Sequence, residues 1–349
     1  MSESEDRAAE VLVLDVGHGN ATLLRDGAYV VLVDAPLRAN LLDALGELGI
    51  SHIDLILVSH ADADHLGGVT SLLTSTEFSV GEVRVNPDAT RRSDFFLDFR
   101  YGARDAAARN GTKLRIELTT ALGSTLSFGN IGVEVLHPPP ELVVSGSGGR
   151  DLEGRPLSGH NLSAVLRIAL GHQPVLLLPG DLDNDGLSYL IAQGLDMRAL
   201  SVVFPHHGGR AGSASPRDFA RRLCEAIGPS IVQFSIGRRA RFDNPRPEIV
   251  LGVRDAAPRA HIACTQLSRQ CAANLTGHSA SYLKRYPAAG RATEECCAGT
   301  MVFTAEPTSS IAFDPGGAHL DFVRTQVPTP LCEGSKGAFT EGAAGPAKP

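Results

Sequence analysis

Six consecutive residues, His60-Ala61-Asp62-Ala63-Asp64-His65, carry two imidazoles and two carboxylates, and Leu66-Gly67-Gly68 follows at once. Donors at this density on one loop suit a divalent cation, or two, and the paired glycines would let the chain turn tightly around whatever is held. A solvated polar loop is the plain alternative. Three more polar groups stand at the ends of apolar runs: Gly159-His160-Asn161 before Ala164, Gly180-Asp181 after Leu178, and Pro205-His206-His207-Gly208-Gly209 after Phe204. Singly, each is ordinary: a solvated histidine, a turn, a surface pair. Taken together, polar groups drawn to strand ends from distant parts of a chain are what an active site on an α/β scaffold requires.

The elements that must position them can be read from periodicity. Val11 to Asp15, Tyr29 to Asp34 and Ile53 to Val58 are aliphatic or β-branched runs bounded by Gly, Asp and Pro, as strands are. Leu41 to Leu48 has helical spacing, and a second helix is expected to open at Gly68. Ala164 to Leu170 and Val175 to Leu178 form a hairpin across Gly171 to Pro174, followed by a helix over Gly186 to Gln193 and a strand over Leu200 to Phe204. Pro216 to Ile227 reads as helix and Ile231 to Ile236 as the next strand. Strands and helices interleaved in this way predict an α/β (α+β) fold of two sheets between helical layers. Ser145 to Gly159 reads as a loop, and the stretch after Glu333 has almost nothing to bury.

With 349 residues, 43% of them hydrophobic, the chain can build one large domain or two medium ones. No run approaches the roughly 18 apolar residues of a membrane helix. Met1 to Glu10 is acidic and lacks the order of a signal peptide, so a cytoplasmic location and no membrane partner are expected. The net charge of -7 argues against whole-molecule attraction to nucleic acid and leaves room for a local basic site. Six cysteines without a signal peptide favour reduced thiols or metal ligands over a disulfide framework.

The ordered motifs resemble the metallo-β-lactamase superfamily, and most closely the hydrolase domain of ComEC-type competence proteins. Asp15-Val16-Gly17-His18-Gly19-Asn20, His60 to Gly68, His160-Asn161-Leu162-Ser163, Gly180-Asp181 and Pro205 to Gly209 follow that family's motif order from about residue 10 to about 250. The resemblance implies an αββα sandwich with the site at one edge of its sheets. It implies a first metal on His60, Asp62 and His160, a second on Asp64, His65 and His206 or His207, and Asp181 bridging both. Asp64, Asp181, His206 and His207 would then carry catalysis. With that match as the hydrolase domain over 8–250, the cysteine-bearing segment over 251–325 is expected as a small extension packed on it, and 326–349, poor in residues to bury, as a disordered tail.

This chain departs from the pattern in three places. Asp62 replaces the second His of the wider superfamily, and a carboxylate in place of an imidazole makes Mn²⁺ or Mg²⁺ more competitive with Zn²⁺. Asn20 stands where Asp is usual, and Asn244-Pro245 where a His-Pro is common, which puts the second metal in question. Arg238, Arg239 and Arg241, with Arg246 nearby, form a candidate phosphate-binding lip, since guanidinium groups pair with phosphate oxygens; a solvated Arg-rich loop fits equally. Separately, Cys264, Cys271, Cys296 and Cys297, with His261 and His278 close in sequence, offer enough soft donors for a structural zinc, although buried thiols or a redox pair fit the same residues.

The function expected is that of a metal-dependent hydrolase holding two divalent ions, a phosphodiesterase or nuclease acting on nucleic acid or nucleotide through a metal-bound hydroxide. Hydrolysis of a lactone, thioester or β-lactam is the alternative. A non-catalytic module stabilised by metal is a third reading, which the intact His60, Asp64, His65 and Asp181 oppose.

Overall fold

Two sheets arise from the apolar runs. In chain order, β1 (Glu10–Val13), β2 (Thr22–Asp26), β3 (Tyr29–Val33), β4 (His52–Val58), β5 (Ser79–Val85) and β6 (Lys113–Arg115) build the first. The second comprises β7 (Leu126–Phe128), β8 (Ile131–His137), β9 (Val165–Leu170), β10 (Gln173–Leu178), β11 (Ser201–Val203), β12 (Ile231–Phe234) and β13 (His261–Cys264). The chain then returns to the first sheet as β14 (Met301–Ala305) and β15 (Ile311–Asp314), giving the orders β15-β14-β1-β2-β3-β4-β5-β6 and β13-β12-β11-β10-β9-β8-β7. The computed structural model describes residues 8–37, 39–86, 94–123, 125–238, 243–275, 281–305 and 310–333.

The core lies in three layers. Val11, Val13, Leu57, Leu166, Ile168 and Phe303 fill the space between the sheets. On the outer face of the first sheet, Leu12 and Ile56 meet α1 (Ala39–Glu47), α2 (Ala63–Thr74) and α3 (Asp94–Asn110) through Leu45, Leu72 and Phe99. After the short α4 (Pro140–Ser145), the second sheet's outer face is covered by α5 (Asn184–Ala192), α6 (Pro216–Ile227), α7 (Pro247–Ala256) and α8 (Gly316–Gln326), packed through Leu187, Phe219, Ile249 and Phe322. This is the αββα sandwich. Strands covered on both faces explain why β4 and β10 read as near-continuous apolar runs rather than alternating ones.

The segment expected as a separate extension is woven into both sheets. Its β13 pairs in parallel with β12 at Ile231↔His261, and its β14 pairs antiparallel with β1 at Val11↔Phe303. A boundary at residue 250 would strip an edge strand from one sheet and two strands from the other, so 251–325 belongs to the sandwich. Of the expected tail, the first part is folded: α8 ends at Gln326, and a 3-10 turn spans Leu331–Glu333. Residues 334–349 lie outside the described residues. Among the described residues, no helix is long and apolar enough to cross a membrane.

One local expectation fails informatively. The helix after β4 begins at Ala63 rather than Gly68, so Asp64 and His65 belong to its first turn and Asp62 to its N-cap. Gly67 and Gly68 therefore do not make a turn. They let α2 press against the 35–37 strand-end loop, where an added Cβ would stand 2.5 Å from Leu37 Cβ or from Pro36 O.

Candidate metal centre

Parallel pairing of β3 with β4, of β10 with β11 and of β11 with β12 aligns their carboxyl ends at one rim of the sandwich. Open α/β sheets form sites at such rims. Asp34 leaves β3 there, His60 to His65 leave β4, Asp181 leaves β10, and His206-His207 leave β11, while His160 enters just before β9.

Two donor groups result. His60, Asp62 and His160 offer three donor atoms that all lie within 4.8 Å of one another, and so do the four of Asp64, His65, Asp181 and His207. Asp181 joins the groups: its carboxylate is 3.4 Å from His65 Nε2, 3.9 Å from His60 Nε2 and 3.4 Å from His206 Nδ1. His207 Nε2 stands 3.4 Å from Asp64 Oδ2, and His160 Nε2 3.2 Å from Asp62 Oδ2. The His206-His207 pair therefore divides. His207 joins the second group, and His206 lies on the other side of Asp181 with its ring 5.0 Å from that of His160.

Backbone strain accomplishes that division. His206 and His207 both adopt left-handed conformations, with φ of 51° and 55°, each disfavoured by roughly 1–2 kcal/mol for a residue with a Cβ. The turn is held by His206 N–H donating to Asp181 Oδ1 (3.0 Å) and by His207 Nδ1 against Ser235 O (2.9 Å).

Do these residues fit a metal? The Nε2 atoms of His60, His65, His206 and His207 are all buried and have no hydrogen-bond partner. Leaving several ring nitrogens buried and unsatisfied would be costly in a core built for packing, whereas metal ligation satisfies each of them. The donor set fits divalent cations. With three carboxylates beside the imidazoles it includes hard ligands, which suit Mn²⁺ or Mg²⁺ as well as Zn²⁺.

The charges point the same way. Burial alone would lower the pKa of His65, but the Asp34 and Asp181 carboxylates outweigh it and raise it well above its ordinary value. Burial and the neighbouring His65 push His60 down to about 3. Although burial opposes ionisation, His65 and His206 hold Asp181 well below the carboxylate range, and His207 and His65 do the same for Asp64. The Asp34 and Asp181 carboxylates thus favour positive charge between them, from a proton on His65 or from a cation.

Asp34 is the residue that sequence reasoning missed. Fully buried at the end of β3, it accepts from Ser59 N (2.7 Å), Ser59 Oγ (2.8 Å) and Asn20 Nδ2 (3.3 Å), and contacts His65 Nδ1 at 2.7 Å. The bond to Nδ1 aims Nε2 at Asp181, the arrangement by which outer carboxylates orient metal-ligating histidines. The one available signal was an Asp closing an otherwise apolar strand. Asp34→Asn keeps an acceptor and loses the charge, so metal affinity is expected to fall about 10-fold or more, read by titrating metal-free protein with Mn²⁺ or Zn²⁺. Unchanged affinity would reject the role.

A cavity of about 750 Å³ opens on Asp64, Asp181, His206 and His207, and its wall also carries His18, Arg210 and Arg246. His18, in the Gly17-His18-Gly19 turn, packs against His207 with ring centroids 4.5 Å apart and planes tilted by 53°, and its place at the site was likewise not anticipated. Asn244 lines the cavity and its Nδ2 donates to His206 O (3.4 Å), so the residue in the usual histidine's place steadies the strained turn.

The expected arginine lip needs correcting. Arg238 does not face the cavity: its guanidinium donates to Leu267 O, Ala272 O and Ala273 O at 2.7–3.0 Å, bracing the chain after β13. Arg239 and Arg241 lie outside the described residues. Among the described residues, Arg246 and Arg210 bring guanidinium groups to the cavity, and the buried Arg246 Nε stands 3.6 Å from Glu248 Oε2. The cysteine set also separates, since Cys296 Sγ donates to Asp15 Oδ2 (3.4 Å) while Cys264, Cys271 and Cys297 share the core beneath α6 to α8. His278 lies outside the described residues.

Known proteins resemble this chain at two levels. "Competence protein ComA" of Neisseria gonorrhoeae is 23% identical over 254 residues, covering 71% of this chain; the chain spans 30% of that relative's length. Among solved structures, the metallo-beta-lactamase fold protein YhfI of Bacillus subtilis is 13% identical with a TM-score of 0.46, covering 73% of this chain and 96% of its own. The metallo hydrolase Igni18 of Ignicoccus hospitalis is 13% identical with a TM-score of 0.41, covering 73% and 94%. The sequence profile of the metallo-beta-lactamase superfamily matches residues 14–224, a span that takes in every donor from His60 to His207, and the chain belongs to that superfamily.

Proposed function

We propose that this chain is a metal-dependent hydrolase of phosphodiesters whose substrate is a nucleic acid or a nucleotide. The observation that carries the reading is the pair of donor groups meeting at Asp181 beside a cavity that presents Arg210 and Arg246. Divalent cations bound there supply Lewis acidity toward a phosphoryl oxygen and acidify water. The protein's own residues supply the rest. Asp62 and Asp64 on one side and Asp181 on the other concentrate negative charge at the rim. Arg246 and Arg210 bring guanidinium groups to the cavity wall, placed to bind a non-bridging phosphate oxygen, although Arg246 Nε is itself paired with Glu248 at 3.6 Å. His206, held at 3.4 Å from Asp181 at the cavity wall, offers its Nε2 to the same cations.

The same cavity also bears Asp243 and Glu248, which disfavour a highly charged ligand and keep an uncharged lactone or thioester as the second reading. A screen of single- and double-stranded DNA, RNA, cyclic nucleotides and a lactone, each with Mn²⁺, Mg²⁺ and Zn²⁺, separates the two. Phosphodiester turnover is expected, with Arg246→Ala raising KM by about 10-fold or more through the loss of a charge-assisted bond. Lactone turnover without phosphodiester turnover would overturn the proposal.

A further inference from the structure

Asp34 reaches the rim by a second route, which passes through Ser59. The two residues follow neighbouring strands, Asp34 after β3 and Ser59 after β4, and the parallel pairing of those strands sets Val33 beside Leu57. Both are buried, and Asp34 adopts a left-handed conformation with φ of 60°, a strained state that persists only where its surroundings enforce it. Here Asp34 N–H donates to Leu57 O (2.8 Å) and Ala35 N–H to His65 O (2.6 Å). Ser59 is fixed from both sides. Its N–H donates to Asp34 Oδ1 (2.7 Å), and its carbonyl accepts from Ala164 N (2.8 Å) just before β9.

The hydrogens in this cluster can be counted. Asp34 Oδ2 lies 2.8 Å from Ser59 Oγ, 2.7 Å from His65 Nδ1 and 3.3 Å from Asn20 Nδ2. A carboxylate only accepts, so the single hydroxyl hydrogen of Ser59 is committed to Asp34. Ser59 Oγ is left with lone pairs alone, and His60 Nδ1 stands 3.1 Å from it. At that contact His60 has to be the donor, which places its hydrogen on Nδ1 and leaves Nε2 bare. Nε2 is the atom that is buried without a hydrogen-bond partner, 3.9 Å from Asp181 Oδ2. The next oxygen near His60 Nδ1 is Ser163 Oγ, further off at 3.4 Å and itself accepting from Asp181 N (3.1 Å). For His65 no intermediary is needed, since its Nδ1 meets Asp34 directly.

We propose that Ser59 is a positioning residue that relays the Asp34 carboxylate to His60, so that one buried acid sets the metal-facing nitrogen of a histidine in each donor group. His65 belongs with Asp64, Asp181 and His207, and His60 with Asp62 and His160. The groups are thereby joined twice, at the cavity through Asp181 and beneath it through Asp34 and Ser59. Partners placed behind metal ligands in this way govern affinity by about 10- to 100-fold. The inference rests on the donor groups holding cations and is indifferent to which bond is hydrolysed.

The test uses the full chain, first freed of metal, with NMR of the imidazole nitrogens. His60, kept neutral by burial, is expected to carry its hydrogen on Nδ1. Ser59→Ala removes the acceptor, so His60 is expected to shift toward the Nε2-protonated form while His65, still bonded to Asp34, keeps its Nδ1 hydrogen. Titration with Mn²⁺ or Zn²⁺ is then expected to show one of two binding steps weakened about 10-fold or more in Ser59→Ala, both weakened in Asp34→Asn, and the lost step recovered in Ser59→Thr, which restores a hydroxyl. A wild-type His60 protonated on Nε2 would overturn the proposal, as would a Ser59→Ala protein whose two steps are unchanged or weakened alike. Should the Ser59 variants fail to fold, the wild-type tautomer decides. Since no readout depends on turnover, failure of the hydrolase reading would leave this result standing.

Discussion

Asp181→Asn is expected to remove metal from both rim groups together and to lower any hydrolytic turnover by well over ~100-fold, beyond the 10–100-fold that loss of an outer partner causes. The reason lies in position. Among the described residues, Asp181 alone has its carboxylate within 4 Å of all three of His60, His65 and His206, so it serves ligands of both groups, while Asp62 and Asp64 each pair with histidines of their own group. Asparagine keeps an oxygen to accept the His206 N–H, so the strained His206-His207 turn should persist and the melting temperature of the metal-free protein should change little. Alanine would lose that acceptor as well and release two left-handed residues. Metal analysis, turnover and melting curves on both variants separate ligation from architecture. Retention of both metals by Asp181→Asn would refute a shared bridge.

The motifs were legible because metal chemistry restricts residue types and strand ends restrict their location. His60, Asp62, Asp64, His65, His160 and Asp181 could be picked out by type and spacing alone, and the structure brings them to one rim. What the sequence concealed were roles set by direction. Nothing in the pair His206-His207 says which ring turns toward Asp64, because that depends on two positive φ angles rather than on residue type. Asp34 looked like the end of a strand, and only the parallel pairing of β3 with β4 brings it to His65. Arg238 had the composition of a phosphate contact, but three carbonyls from the stretch after β13 claim it. The extension failed as a separate unit for a similar reason. Its strands pair with β1 and β12, partners distant in sequence, and local composition carries no trace of such contacts.

The strongest of those distant contacts predicts the largest loss of stability. Asp15 is 1% exposed, and its carboxylate accepts from Gly17 N (3.2 Å), Gln266 Nε2 (3.0 Å), Gly290 N (3.0 Å) and Cys296 Sγ (3.4 Å). Its backbone N–H donates to Thr300 Oγ1 at 2.9 Å, and its carbonyl accepts from Ala289 N at 2.9 Å. One residue thus ties the turn after β1 to Gln266 and to the 289–300 segment before β14. Asp15→Ala strands several buried donors, each costing about 1–3 kcal/mol, so a loss of ~3–5 kcal/mol is expected in denaturant unfolding. Less than ~1 kcal/mol would show that the stretch is held by other means. Asp15→Asn retains one acceptor and should lose less, and it also carries a pH signature. Burial raises the Asp15 pKa above its ordinary 3.8 despite the four donors, so the folded state holds this proton more tightly than the unfolded chain does. The wild-type advantage over Asp15→Asn should therefore be greatest below that ordinary value and shrink as pH rises from it through the raised folded value, then level off. An advantage that grew with pH over that window would mean that the donors overcome burial and that Asp15 folds as a stabilised anion.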